Sequence, residues 1–298
     1  MTENTQPKKN RTAAGRKAEK RRKFLHALFK RKIVIVGAVG VLFFIFVAVF
    51  APLLAPYDPN QASLFDALRG PSSKHLLGAD NLGRDVLSRI IYGSRVSLLV
   101  GVFAVAIACV IGTFFGLIAA YFGGWVDAVI MRICEAVMSI PNTVLAMALI
   151  AVFGGGMKNL AIILGVSTIP GYVRMMRAQA LTVKESDYVM AGKLQGSHDF
   201  RLMYRHILPN CLSPIIVMMT QQVGQTILVE AGLSFLGIGV SVPTASWGSM
   251  VSDGKNYLLS NPVFGIAPGV CIAILVICLN LLGDGIRDAL DPRLRGES

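Results

Sequence analysis

Few side chains in this sequence are placed to do chemistry. The four histidines (His26, His75, His198, His206) are scattered, and the five cysteines (Cys109, Cys134, Cys211, Cys271, Cys278) occur singly in apolar surroundings. Neither set has CxxC, HExxH or any other metal-ligand spacing, so no metal site is expected and the cysteines read as small buried hydrophobes. No GxxxxGK[ST] run occurs, so the chain lacks that phosphate cradle and is expected not to hydrolyse ATP itself. One carboxylate, Glu230, lies deep in an apolar run. It could pair within a helix bundle, reach a water-filled cavity or line a pathway. A lone carboxylate is thin ground for a proton relay, because gradient-driven carriers usually show several intramembrane carboxylates or broken helices in repeated halves.

The other candidate is the polar stretch from Asp187 to Asn210. Its pattern is helix, turn, helix. Gly196 can end the first helix by adopting positive φ, Ser197 or Asp199 can cap the second, and Pro209 limits it. Small residues at Ala191, Gly192 and Gly196 leave a surface that another protein can approach closely. The alternative is a simple loop on the membrane surface.

The elements that must position these residues are apolar. The 298 residues are 54% hydrophobic and 15% charged, against roughly 25% charged for soluble domains, and the mean hydropathy is +0.60. That excludes a cytoplasmic enzyme, a collagen, a coiled coil and a disordered chain. Counted in spans of about 20 residues, the sequence predicts an all-α membrane protein with six transmembrane helices: about 33–54, 96–121, 126–153, 160–176, 212–239 and 263–282. The organisation follows as a basic tail (1–32), a first transmembrane helix (33–54), an outer loop (55–93), a five-helix core (94–283) with a cytoplasmic loop at 177–210, and a C-terminal tail (284–298). In the outer loop Asp80 is expected to cap a short amphipathic helix on the membrane surface, with Leu82, Val86, Leu87, Ile90 and Ile91 on one face and Arg84, Asp85, Ser88 and Arg89 opposite. The second span carries Gly112-x-x-x-Gly116, which lets backbones approach. The third holds Arg132, Glu135 and Pro141, so it should face protein or a cavity; Arg132 and Glu135 form either a local ion pair or part of a pathway. Gly154-Gly155-Gly156 makes a tight connection, and Pro170-Gly171 kinks the fourth span.

Charge orients the bundle. Residues 1–32 hold twelve Lys/Arg and only Glu3 and Glu19, which accounts for +10 of the net +12. This tail reads as a membrane anchor attracted to anionic lipid rather than a nucleic-acid arm, since it runs straight into an apolar span without interleaved aromatics. It is not read as a signal peptide, because the apolar run is long and no clean cleavage site follows. Of 29 Lys/Arg, 21 fall on one set of loops and tails and seven on the other, with Arg132 inside a span. Both termini are therefore expected on the cytoplasmic side.

The Asp187–Asn210 stretch also resembles the EAA loop of ABC importer permeases, whose pattern is Glu-Ala-Ala, three residues, Gly, nine residues, then Ile-x-Leu-Pro. Ala191, Gly196, Leu208 and Pro209 match; Met190, Gly192 and His206 stand where the pattern has Glu, the second Ala and Ile. Gly78–Arg89, Arg205–Asn210, Leu233–Gly237, Ser246-Trp247-Gly248 and Gly283–Pro292 are similar to the peptide/nickel branch of that family, in its C-type (dipeptide/oligopeptide) permease. The resemblance implies the type I ABC importer permease fold in a bacterial-type cell membrane. It implies a second homologous permease, two ATPase subunits that use ATP and Mg, and an extracytoplasmic binding protein that delivers peptide; this chain itself would bind no cofactor. Tyr188, Met190, Ala191, Gly192, Gly196, Leu208 and Pro209 would form the ATPase-coupling loop. Glu230 would be a pathway candidate able to attract a peptide's amino terminus, and Arg84, Asp85 and Trp247 would either meet the binding protein or pack against the outer ends of the spans. Rival readings keep the fold and change the cargo to nickel or another metal chelate, or replace the class with a gradient-driven carrier or a regulatory membrane protein that binds lipid or nucleic acid through its tail.

Overall fold

The computed structural model describes residues 31–241 and 243–290. All but the last two residues of the basic tail, and the end of the C-terminal tail, lie outside them. The regular elements among the described residues are all helical. The longer ones are α1 (Lys32–Val49), α2 (Val86–Phe122), α3 (Gly124–Met138), α4 (Asn142–Phe153), α5 (Met157–Lys184), α6 (Asp187–Leu194), α7 (Leu208–Phe235), α8 (Trp247–Gly254) and α9 (Pro262–Leu290). Five segments among the described residues are long and apolar enough to cross a bilayer alone, and α3 with α4, bent by 86°, count as a sixth when the pair is taken as one broken span.

Several expected boundaries move, each for a local reason. The amphipathic surface helix does not exist separately: α2 starts at Val86 and runs 37 residues into the membrane. Its cap is Asp85, whose carboxylate accepts the Ser88 N–H at 2.7 Å, not Asp80. The polar side of the expected helix is as buried as the apolar side. At about 1.5 Å per residue α2 is some 55 Å long, far more than the roughly 30 Å hydrocarbon core, so it projects beyond the bilayer. The third span breaks at Ser139–Pro141 and bends by 86°, because proline disfavours helix at the residue before it and supplies no N–H. The fourth span runs past its expected end at 176, as α5 continues to Lys184 with Pro170 inside it. Likewise α9 runs to Leu290, past the expected start of the tail at 284, and an eight-residue helix, α8, lies between the fifth and sixth expected spans.

The bundle is assembled on close backbone approaches. Gly112 and Gly116 of α2 lie against Tyr172, Val173 and Met176 of α5, where any Cβ would overlap those residues. The GxxxG spacing thus marks the helix pair at the centre of the fold. α1 lies against α9 through Gly37 and Gly40 at Cys278, and Arg31 pairs with Asp288 at 2.5 Å.

Candidate coupling and pathway sites

Between α5 and α7 the chain folds back as a hairpin. Ser186 occupies the extended position ahead of α6. At the other end Gly196 has φ +71, its N–H donates to the Lys193 carbonyl (3.0 Å), and the Ser197 N–H donates to the Gly192 carbonyl (3.1 Å). This is the paired-bond helix ending that a left-handed residue permits. The second limb is a short turn, Asp199–Leu202, and a π-helical stretch, Met203–Ile207, that passes directly into α7. Neither Ser197 nor Asp199 caps it; His198 is the residue ahead of the turn. Pro209 does not stop the helix either, since it sits in the first turn of α7, where its missing N–H costs nothing and the wider π turn leaves room for its ring. Asn210 Nδ2 donates to the His206 carbonyl at 2.7 Å.

The hairpin has two faces. Tyr188, Met190, Ala191 and Leu194 are exposed, with Gly196 and Pro209. Underneath, Val189, Leu202, Met203 and Ile207 are buried in one apolar cluster with Leu117 of α2, Met176 of α5 and Cys211 of α7. Gly192 is the close-approach position, as a Cβ there would stand 2.8 Å from Leu202 Cδ2. Polar contacts tie the same hairpin to the end of α2. Lys184 Nζ donates to the carbonyls of Ala120 (2.9 Å) and Tyr121 (2.6 Å), which satisfies last-turn acceptors of that helix. The Tyr121 hydroxyl donates to Asp199, and Lys193 Nζ lies 5.2 Å from the centre of the Tyr121 ring. The hairpin is therefore packed and hydrogen-bonded against three spans.

At the opposite end of α2, residues 55–89 and α8 form a polar lobe held from within. Asp80 accepts the N–H groups of Leu82 and Arg84 (each 2.9 Å) and Arg84 Nε (2.6 Å). Arg89 reaches the Pro59 carbonyl at 3.0 Å, and Asp85 takes both Ser88 groups while facing His75 Nδ1 at 3.0 Å. The Trp247 indole is completely buried, stacks edge-on against Phe44, and donates to the Ile90 carbonyl at 2.9 Å. Lys74 beside Asp66 holds that carboxyl below the usual carboxylate range, whereas burial pushes Asp253 up. Arg84, Asp85 and Trp247 are thus interior groups of the lobe, not exposed contacts as one of their two expected roles required, because each spends its polar atoms on partners within the chain.

Glu230 is likewise fully enclosed. Its Oε2 accepts from Ser97 of α2 at 3.1 Å and its Oε1 from Ser234 at 2.9 Å; Ser234 Oγ in turn accepts the Val240 N–H at 3.2 Å. The carboxyl joins α2, α7 and the chain after α7. A cavity of about 340 Å³ nearby is lined by Met147, Ile150, Gly155, Ile238, Val240 and Ser241, and Glu230 is not on its wall. In this conformation Glu230 is a packing group rather than a pathway-lining one.

The profile of the family described as binding-protein-dependent transport system inner membrane component matches residues 112–296, which include α5, the hairpin, α7 and α9. A second profile, the N-terminal TM domain of oligopeptide transport permease C, matches residues 21–71. The chain belongs to the binding-protein-dependent transport permeases. Relatives include the glutathione transport system permease protein GsiD of Pectobacterium atrosepticum, 39% identical over 92% of this chain and 91% of that one. The dipeptide transport system permease protein DppC of Alkalihalophilus pseudofirmus is 41% identical over 90% and 88%. The permease fold is that of the type I ABC importers, and its place is a bacterial cell membrane, crossed several times.

Some contacts that hold the hairpin end of the bundle escape a reading of the sequence. Tyr121, Lys184 and the Asp127–Arg177 ion pair clamp the hairpin-side ends of α2, α3 and α5. Only Lys184 carried a signal, a cation in the last turn of a helix. The partners of the others lie 50 or more residues away in sequence.

Proposed function

We propose that this permease forms one half of the membrane pathway of an ATP-driven importer of short peptides. A second, homologous permease would complete the pathway, two ATPase subunits would dock under the hairpin and consume ATP with Mg, and an extracytoplasmic binding protein would deliver the peptide. The peptide assignment rests on the relatives, whose names specify dipeptide and glutathione transport. The observation that carries the coupling role is the two-faced hairpin. Tyr188, Met190 and Leu194 are exposed apolar side chains on an eight-residue helix whose other face is buried against α2, α5 and α7. Closure of the ATPase pair would push this helix and move the spans as rigid bodies between inward- and outward-facing arrangements. The hairpin side then faces the cytoplasm, and Arg84, Asp85 and Trp247 stabilise an outer lobe against which the binding protein would seat.

The test is to tag the chain in its host, purify it in mild detergent and identify stoichiometric partners by mass spectrometry. Two ATPase chains and a second multi-span permease are expected. Recovery of the chain alone, or as a homodimer without an ATPase, would reject the reading in favour of a gradient-driven carrier. Gly196→Arg should abolish uptake while leaving the protein in the membrane. Nothing lies within 4 Å of the position a Cβ would take there, and the strain of a side chain at φ +71, about 1 kcal/mol, falls on the α6 ending, so the change disturbs the docking face and the turn beneath it and not the bundle.

A further inference from the structure

The broken span α3–α4 contains an exposed ion pair. Arg132 Nη1 lies 3.0 Å from Glu135 Oε2, and the two side chains are 85% and 55% exposed. Around α3 the residues sort into three strips. Asp127, Ile130, Cys134 and Val137 turn toward the body of the chain. Trp125, Val129, Ile133 and Ile140 make an exposed apolar strip. Ala128, Arg132, Glu135 and Ser139 make an exposed polar one, which at about 100° per residue lies roughly a quarter-turn from the apolar strip.

Two contacts set the height of the polar strip. Asp127 pairs with Arg177 of α5, and Arg174 Nη1 reaches Met138 Sδ at 3.6 Å. Between these contacts α3 advances about 16 Å while α5 advances only about 4.5 Å, so α3 crosses α5 steeply. The crossing lies within the last turns of α5 before Lys184, from which the hairpin hangs.

Charges exposed on a membrane-spanning segment face water or protein, not lipid. The apolar strip supplies the lipid-facing side, and the polar strip must look elsewhere. Resting on the peptide-importer reading above, we propose that Arg132, Glu135 and Ser139 line the coupling-side half of the translocation pathway, where Arg132 meets a peptide's carboxylate and Glu135 its ammonium group. A short peptide is a zwitterion at neutral pH. A cation and an anion one helical turn apart offer a partner to each end, and the pair meets through single atoms, so each group keeps hydrogen-bonding capacity. The broken helix beside the pair is a recurrent feature of membrane segments that line a substrate cavity.

The assembled importer in proteoliposomes provides the test, with peptide uptake and ATP hydrolysis measured together. Arg132→Gln should lower uptake per ATP of Ala-Ala about fivefold relative to its C-terminal amide, and Glu135→Gln should lower it by a similar factor relative to the N-acetylated peptide. A merely structural pair would change free and blocked peptides alike, and that result overturns the proposal. In a background with the five native cysteines replaced, Ser139→Cys should react with a membrane-impermeant maleimide from the hairpin side, and Ile133→Cys should not. Preferential labelling at position 133, or none at 139 because the second permease covers the strip, also overturns it. A wild-type importer that moves no peptide rejects the peptide reading, and the labelling then decides by itself whether the strip lines the pathway.

Discussion

Leu202→Ala is the sharpest mechanical test of the hairpin. Within residues 187–202 only Val189 and Leu202 are buried, so these two side chains make most of the apolar contact that docks α6. Truncating a fully buried leucine costs about 2–5 kcal/mol, with about 3 kcal/mol a fair central value. The Tyr121–Asp199 hydrogen bond, contributing about 1–2 kcal/mol, remains in place. Because about 1.4 kcal/mol corresponds to a factor of ten, the undocked population of the hairpin should rise roughly 100-fold. The bundle itself should persist, since α2, α5 and α7 also meet through contacts remote from the hairpin. The assay is twofold: hydrogen exchange over residues 187–202 in the purified complex, and peptide taken up per ATP hydrolysed in proteoliposomes. Faster exchange and at least a tenfold fall in uptake per ATP are expected, with the ATPase subunits still bound. Phe200→Ala, on the exposed side, serves as the control for the exchange measurement. Loosened exchange with unchanged uptake per ATP would refute the lever argument, and unchanged exchange would refute the packing argument beneath it.

Glu230→Gln preserves the shape of the side chain between Ser97 and Ser234, so uptake should stay within about twofold of wild type; a loss of tenfold or more, with normal amounts of protein in the membrane, would return this carboxyl to the pathway. Gly112→Leu forces a side chain into Tyr172 and the Ile169 carbonyl, and should cost more than the 1–3 kcal/mol typical of overpacking, read as loss of the monodisperse complex in detergent. Trp247→Phe removes the hydrogen bond to the Ile90 carbonyl and should lower stability by about 1–2 kcal/mol, seen as a lower thermal midpoint with uptake retained at moderate temperature. The lobe around Asp66 should respond to acid: a carboxyl held low by Lys74 adds stability that is complete above about pH 4 and is lost as pH falls through its lowered value. Unfolding of the detergent-solubilised complex should show that acid dependence, and Asp66→Asn should flatten it.

The sequence revealed the spans because a run of apolar residues is a local signal, and all six expected spans have helical counterparts. The GxxxG pair and the Gly196 ending were legible for the same reason, since steric need is written at the residue itself. Pro141 and Pro209 show where local rules stop. Both are breaks by the same propensity argument, yet one bends its span by 86° and the other sits in the first turn of a continuing helix. The difference lies in the residues before them: a π turn opens room ahead of Pro209, and the turn itself is held by tertiary packing of Met203 and Ile207. Arg84, Asp85 and Trp247 were conspicuous as polar or aromatic residues outside the spans, and contact with a binding protein and packing against the outer ends of the spans were equally open readings. Their partners, Asp80, His75, Ser88 and the Ile90 carbonyl, are brought to them by the folded lobe.

The uninterrupted passage from Asp199 through the π turn to Phe235 makes the hairpin and the Glu230 region two ends of one rod. Such a rod fixes azimuth as well as distance. Adding one residue between Pro209 and Glu230 would turn the far end by about 100° relative to the hairpin, carrying Glu230 away from Ser97. Adding seven would nearly restore the angle while displacing that end by about 10 Å. Chain length between those points is therefore locked, and Met203–Ile207 is the place to absorb a single-residue change, because a π turn is one residue of slack in an otherwise α-helical shaft.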